Sequence, residues 1–202
     1  MGYLICAVLG YLMGSSNMAY YIARIKGVDL RAGGSGNLGG SNATVLMGWK
    51  AGILVTVHDT AKAMVAALLA KWLFPELALA GVITGVAAVL GHIFPFYLKF
   101  NGGKGFACYI GMLLALNWKF ALIIILASVV LTVLTDYIVT ATTTTIIAGP
   151  AYFAFVAWPV ALIMCIATAV ILYKHRANYV RIWKGTELGL RSAIRGDNRV
   201  VK

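Results

Sequence analysis

Residues 77–98, "LALAGVITGVAAVLGHIFPFYL", form an uninterrupted apolar run in which His92 is the one basic side chain. The hydrocarbon core of a bilayer takes about 20 apolar residues of helix, so a run of this length is read as a membrane span. Working outward, 3–23 and 51–74 are runs of the same kind. Further along come 137–156 and 158–173, the latter opened by Pro159, where a missing N–H costs a helix least. Two runs are shorter. At about 1.5 Å per residue, 107–116 and 120–134 reach only about 15 Å and 22 Å against a core of about 30 Å. They read as a partly embedded hairpin or as tilted helices in a thinned region. The count is seven crossings if both pass through and five if the hairpin does not.

Composition agrees with this reading. Hydrophobic residues make up 61% of the chain and charged residues 11%, with a mean hydropathy of +0.89, which lies outside the range of soluble domains. The expected fold is an all-α integral membrane protein of about seven transmembrane helices, a single polytopic domain over 1–202 with no room for a second, soluble one. Cys6, Cys108 and Cys165 sit in apolar runs without paired or metal-like spacing and read as buried small hydrophobes. The first run lacks a basic leader and a nearby small-residue cleavage site, so it reads as a retained span.

Charge sets the orientation. Fourteen of the 17 Lys and Arg residues fall in three segments, about 24–50, 99–106 and 174–202, that alternate with the spans. The positive-inside rule puts these segments and the C-terminus in the cytoplasm and the N-terminus outside. The net charge of +11 thus faces anionic lipid head groups. A nucleic-acid partner is not expected, because no separate domain exists to read one.

The polar segments differ from one another. "GGSGNLGGSNAT" (33–44) offers backbone N–H groups unobstructed by side chains, with Ser35, Asn37, Ser41 and Asn42 as short hydrogen-bonding groups. The turn Gly102-Gly103-Lys104-Gly105 combines consecutive N–H groups with a full positive charge, which suits phosphate. It is not a nucleotide P-loop, because Leu98 stands where the first Gly should be and Gly105 follows the Lys. A lipid-anchoring interfacial turn is the plainer alternative. Within the second span, His58, Asp59 and Lys62 break an apolar helix. Intramembrane charges are functional candidates, yet Asp59 and Lys62, three apart, also suit a self-neutralising pair that braces a loop. His92 reads as a similar brace. The run Thr140 and Thr142–Thr145 either bonds back to its own helix or lines a polar cavity.

Taken in order, "GGSGNLGGSNAT", "HDTAKA", "GHIFPFYLKFNGGKGFA" and "KHRANYVRIWKGTE" resemble the bacterial acyl-phosphate:glycerol-3-phosphate acyltransferases, the PlsY family. The most specific piece is G-H-x-x-P-x-x-x-x-F-x-G-G-K-G, matched from Gly91 to Gly105 at every fixed position. The first motif departs from the family's G-S-G-N-P-G-A-T-N-x-x-R. Gly34, Ser35, Gly36, Asn37, Gly39 and Asn42 are kept, but Leu38 replaces Pro and Val45 stands where the Arg belongs. Because that Arg helps hold phosphate in the family, its absence implies weaker acceptor binding, a substitute cation such as Lys50 or Arg31, or a changed acceptor.

The resemblance implies transfer of an acyl group from acyl phosphate to the sn-1 hydroxyl of glycerol 3-phosphate, giving lysophosphatidic acid and phosphate, at the cytoplasmic face of the bacterial inner membrane. It implies catalytic roles for Lys104, Ser35, Asn37 and Thr142, and substrate contacts from Gly34, Gly36, Gly102, Gly103, His175, Asn178 and Glu187. Asp59, Lys62 and His92 would support them. No cofactor and no metal are implied, and the partners are the two substrates and membrane lipids. The residues alone leave two alternatives open: a divergent paralogue using another phosphorylated acceptor, or a membrane transporter or binder of a phosphorylated solute.

Overall fold

The structure is a computed structural model that describes residues 1–195. Arg199 and Lys202, which close the expected cytoplasmic segment, lie outside the described residues. The helices are α1 (Gly2–Ser15), α2 (Met18–Lys26), α3 (Gly40–Met47), α4 (Trp49–Leu73), α5 (Ala80–Ile93), α6 (Phe106–Leu116), α7 (Trp118–Thr135), α8 (Ile138–Val156), α9 (Trp158–Trp183) and α10 (Leu190–Arg195), with a 3-10 turn at Phe96–Leu98 after α5. Five are long and apolar enough to cross a membrane: α4, α5 with its 3-10 extension, α7, α8 and α9. At 14 and 11 residues, α1 and α6 are shorter.

Several expected boundaries move, each for a local reason. The first span is not one helix over 3–23, because Asn17 takes an extended conformation and its side chain accepts the N–H of Tyr20 at 2.9 Å. A capping Asn of this kind starts a new helix. The expected division between 107–116 and 120–134 is kept, and Asn117 makes it by the same device, ending α6 and capping α7 by accepting the N–H of Phe120. The last span does not stop at 173, since α9 continues through Lys174, His175 and Arg176 to Trp183. The Gly-rich segment is only half a loop: from Gly40 onward it is α3. Cys6 and Cys108 are buried as expected, whereas Cys165 is exposed on the outer face of α9.

Small residues set how the helices pack. α1 lies parallel to α5, with Gly10 against the carbonyl of Thr84, Gly14 against the backbone of Ala88, and Gly91 against the carbonyl of Tyr11. A Cβ at any of these positions would overlap backbone, so glycine is what allows the two helices to touch. Gly111 of α6 meets the backbone of Thr60 on α4, and Gly85 of α5 meets Met112 of α6. The start of α5 (Gly81) lies beside the ends of α4 (Lys71) and α6 (Leu116), so α5 runs opposite to both. α7 is peripheral: only Ala121 and Ile124 are buried, and an apolar helix so little covered suits lipid.

Two features mark the ends of the bundle. All five tryptophans, Trp49, Trp72, Trp118, Trp158 and Trp183, sit at helix ends and are 60–86% exposed, as in the aromatic belts of membrane interfaces. The three basic segments also converge on one end. There Arg31 donates to the carbonyls of Leu98 and Asn101 at 3.2 and 2.7 Å, and Lys104 reaches Asn178 on α9.

Candidate active site

In the Gly-rich segment one side chain organises the turn. Asn42, 2% exposed, accepts the N–H of Ser35 at 2.9 Å and donates to the carbonyls of Leu30, Gly33 and Asn37. Gly34 and Gly36 take positive φ (57° and 65°), and a Cβ on Gly34 would collide with the Asn42 carboxamide. The result is a fixed loop that leaves the side chains of Ser35 and Asn37 without a hydrogen-bond partner among the described residues. Arg31 ties this loop to the strand of chain that leads into Gly102.

The Gly102–Gly105 turn folds back against the end of α5. Gly102 donates to Ile93 and Gly103 to His92, so these two N–H groups belong to the fold and are not the phosphate donors expected of them. Their lack of a side chain has another cause. A Cβ on Gly102 would overlap the His92 carbonyl and Pro95, and one on Gly103 would fall on the His92 ring. The available donors lie one step further on, where the first turn of α6 leaves the N–H groups of Phe106 and Ala107 without backbone acceptors.

Lys104 stands beside that turn and starts a polar chain. Its Nζ donates to Asn178 Oδ1 at 2.6 Å, Asn178 Nδ2 donates to Glu187 Oε1 at 2.5 Å, and Arg181 Nε donates to Glu187 Oε2 at 2.6 Å. Burial, with the nearby charges of Arg181 and Lys174 and against that of Glu187, lowers the Lys104 ammonium to about 8. His175, three residues before Asn178 and therefore on the same face of α9, is buried and donates from Nδ1 to the Ile171 carbonyl. Its Nε2 is thereby fixed as the acceptor nitrogen when the ring is neutral. Thr142 is buried and donates to the Ile138 carbonyl of its own helix, so no hydrogen bond joins it to this chain. Neighbouring Thr143 instead shares a 2.8 Å contact with Tyr179 on α9.

A second polar cluster lies deeper. Lys62 donates to Asp59 at 2.8 Å, to the Ser16 carbonyl at 2.5 Å and to His92 Nδ1 at 3.0 Å. His58 links Ser16 Oγ and Asp59 on the other side. This is the expected self-neutralising pair, enlarged by His92, and it braces the ring on which Gly103 packs. Ligand atoms of Asp59, His92 and Cys108 lie within 4.8 Å of one another, a grouping across three helices that spacing in the sequence does not reveal. A metal ion there would have to displace the Lys62 ammonium, which already supplies the positive charge.

Two residues past Lys104, at Phe106, begins the lining of an apolar groove of about 500 Å³, formed by Phe106, Ala107, Ile110 and Leu114 of α6 and by residues of α4, α7 and α8. It adjoins the peripheral helix α7. Of the residues singled out in the sequence, Lys104, Asn178 and Glu187 meet directly, and Asp59, Lys62 and His92 meet as a separate brace. Arg181, Asn42 and Arg31 were missed as organising side chains; the helical spacing of Asn178 and Arg181 was the available signal for the first.

Comparison with known proteins agrees across nearly the whole chain. The family model for glycerol-3-phosphate acyltransferase matches residues 4–185. The chain is 34% identical over 191 residues to glycerol-3-phosphate acyltransferase 1 of Oceanobacillus iheyensis, covering 90% of this chain and 92% of the relative. It is 37% identical over 189 residues to the glycerol-3-phosphate acyltransferase of Coxiella burnetii (strain CbuG_Q212), with 93% and 97% covered. Among solved structures, PlsY (YgiH), an integral membrane glycerol 3-phosphate acyltransferase, is similar in its glycerol 3-phosphate form with a TM-score of 0.89 and 33% identity over 96% of this chain and 98% of that one. Its lysophosphatidic acid form gives 0.83 at 33% identity over 94% and 95%.

Proposed function

The chain belongs to the glycerol-3-phosphate acyltransferase family and is a multi-pass membrane enzyme that acylates glycerol 3-phosphate, and from that premise we propose the donor, the site and its side of the membrane. The donor is an acyl phosphate. Its phosphate sits between Lys104 and the open N-terminus of α6, and its chain lies in the groove that begins at Phe106 and Ala107. The observation that carries this reading is a sequence of features: a half-buried cation at Lys104, helix N–H groups without backbone acceptors at Phe106 and Ala107, and an apolar groove lined from those same two residues, which together match an amphiphile with an anionic head.

In the reaction the sn-1 oxygen of glycerol 3-phosphate attacks the acyl carbonyl carbon. The new C–O bond forms as the bond from that carbon to the bridging phosphate oxygen breaks, and the hydroxyl proton passes to a phosphate oxygen. Inorganic phosphate and lysophosphatidic acid leave. An acyl phosphate is already activated, so no covalent acyl-enzyme is required and the protein's work is positioning and charge stabilisation. Lys104 neutralises the charge that develops on the leaving phosphate. Ser35 and Asn37, held by Asn42 but free at their tips, suit the acceptor's polar groups, while His175, Asn178 and Glu187 orient its hydroxyls.

The whole chain acts as one polytopic unit with seven crossings. Helix polarity supports this, since α1 runs parallel to α5 and each of α4 to α9 reverses its predecessor. The basic end, which carries the site, faces the cytoplasm by the positive-inside rule, and the membrane proposed is the bacterial inner membrane. The test is purified protein with a long-chain acyl phosphate and glycerol 3-phosphate, following phosphate release and lysophosphatidic acid together. Equal amounts of both products are expected. Turnover with acyl-CoA alone, or phosphate release without acylated product, overturns the reading.

A further inference from the structure

After α9 the chain does not drift away from the bundle but crosses the site to the turn between α7 and α8. Two anchors hold this crossing. At its start the Glu187 carboxylate joins Asn178 and Arg181. At its far end Asp136 receives it: the Asp136 carbonyl accepts the N–H of Leu190 at 2.7 Å, and Oδ1 accepts the N–H of Arg191 at 2.8 Å. Arg191 also reaches the Val133 carbonyl at 3.5 Å. The fit is close, because Gly189 is buried and any Cβ there would collide with the Asp136 carboxylate. Asp136 itself adopts a left-handed conformation (φ 68°) that a non-glycine residue takes at some expense, and Asp is among the residues that tolerate it best.

This arrangement puts one apolar side chain where it matters. Leu190, half-buried, joins Thr132 and Val133 of α7 and Ala141 of α8 in the lining of the groove, at the end where Phe106 and Ala107 also lie. We infer that Asp136 is a positioning residue that pins the 189–191 segment so that Leu190 completes the head end of the acyl groove, making this contact a determinant of donor binding. The inference rests on the proposed acyl-phosphate reaction. It explains why the turn between α7 and α8 ends in an acidic residue facing the backbone of another segment.

Two variants separate the effect from a general loss of fold. Asp136→Ala removes the acceptor for the Arg191 N–H, and Asp136→Asn keeps an oxygen at that place. Losing one such hydrogen bond and the apolar contact it secures is expected to raise KM for acyl phosphate about five-fold or more. KM for glycerol 3-phosphate and kcat should stay near wild type, and Asp136→Asn should restore most of the donor affinity. Leu190→Ala tests the same contact without touching the anchor, and should raise donor KM by a similar factor for dodecanoyl and palmitoyl phosphate, since the lost contact lies at the carboxyl end. Binding of hexadecyl phosphate, measured by calorimetry in the same detergent, reads the groove without turnover and should weaken in Asp136→Ala and Leu190→Ala. Unchanged hexadecyl phosphate binding and donor KM in both variants overturn the inference, as does an equal rise in KM for both substrates. A wild type that binds hexadecyl phosphate but transfers nothing from acyl phosphate defeats the proposed reaction instead, and the binding data on the variants still decide the role of Asp136.

Discussion

Lys104→Ala separates a site of chemistry from a membrane anchor. Among the described residues the Lys104 ammonium has one protein acceptor, Asn178 Oδ1, while the Glu187 carboxylate keeps Arg181 as its own cation when Lys104 is gone. Removal therefore leaves no buried charge unpaired, and Asn178 remains bonded to Glu187. The folding penalty should be small, of the order of one charge-assisted hydrogen bond, about 1.5–3 kcal/mol, offset in part by relief of the desolvation that burial imposes on the ammonium. The kinetic penalty should be larger, because a preorganised donor facing developing charge is worth about 2.7–4 kcal/mol, or roughly 10²–10³ in kcat. Initial rates with acyl phosphate and glycerol 3-phosphate both saturating, paired with thermal unfolding in the same detergent, measure the two quantities side by side. Transfer within a few-fold of wild type in Lys104→Ala would refute the reasoning and reduce the GGKG turn to an interfacial anchor.

The depressed Lys104 ammonium, about 8, gives the pH profile a definite sign: kcat/KM should fall as pH rises through about 8, and Lys104→Arg should move that limb out of range because a guanidinium stays charged. For stability the sign is opposite, since between about 8 and 10.5 the unfolded chain holds a proton that the folded one does not, so this group's unfavourable contribution is relieved as pH rises. Lys62→Met should lower the unfolding midpoint by roughly 10 °C, because Asp59, 2% exposed, loses its ammonium partner, and Lys62→Met with Asp59→Leu should recover much of that loss. Val45 is half-buried on α3, in the segment that carries Ser35 and Asn37. Val45→Arg should tighten KM for glycerol 3-phosphate about ten-fold through a charge-assisted phosphate contact worth ~1.5–3 kcal/mol, and an unchanged or weaker affinity points to another acceptor or a substitute cation.

The membrane architecture was legible because hydropathy integrates over many residues: every long run except 3–23 became a single helix, and the alternation of basic segments matched their convergence at one end. Breaks within runs were not legible, since a single capping residue decides them. Asn17 ends one helix and begins another without lowering the mean hydropathy of 3–23 much, whereas at Asn117 the flanking Trp118 and Lys119 already parted the two runs. The end of α9 was misplaced for the converse reason: Lys174, His175 and Arg176 interrupt the apolar run but not the helix, and continuing the helix is what aligns His175 with Asn178. The glycines of the GGKG turn were correctly singled out for the wrong cause, because only the structure shows the His92 ring and carbonyl against them. Nor does any spacing reveal that Asp136 and Leu190 meet, being 54 positions apart in the chain.

The close seating of α1 on α5 also fixes an order of assembly. Gly14 and Ala88 are 74 positions apart, so the surface that receives the first helix does not exist when that helix leaves the ribosome. At synthesis rates of about 5–20 residues per second, α1 waits several seconds in lipid before its partner arrives. During that interval its glycines face acyl chains, which pack poorly into so narrow a cleft, and α4 has to insert without the neighbour it will finally share. Seating of α1 on α5 therefore cannot precede synthesis of the chain through Ala88. A bulky side chain at Gly14 would accordingly leave the later helices assembled around an N-terminal helix that fails to join them.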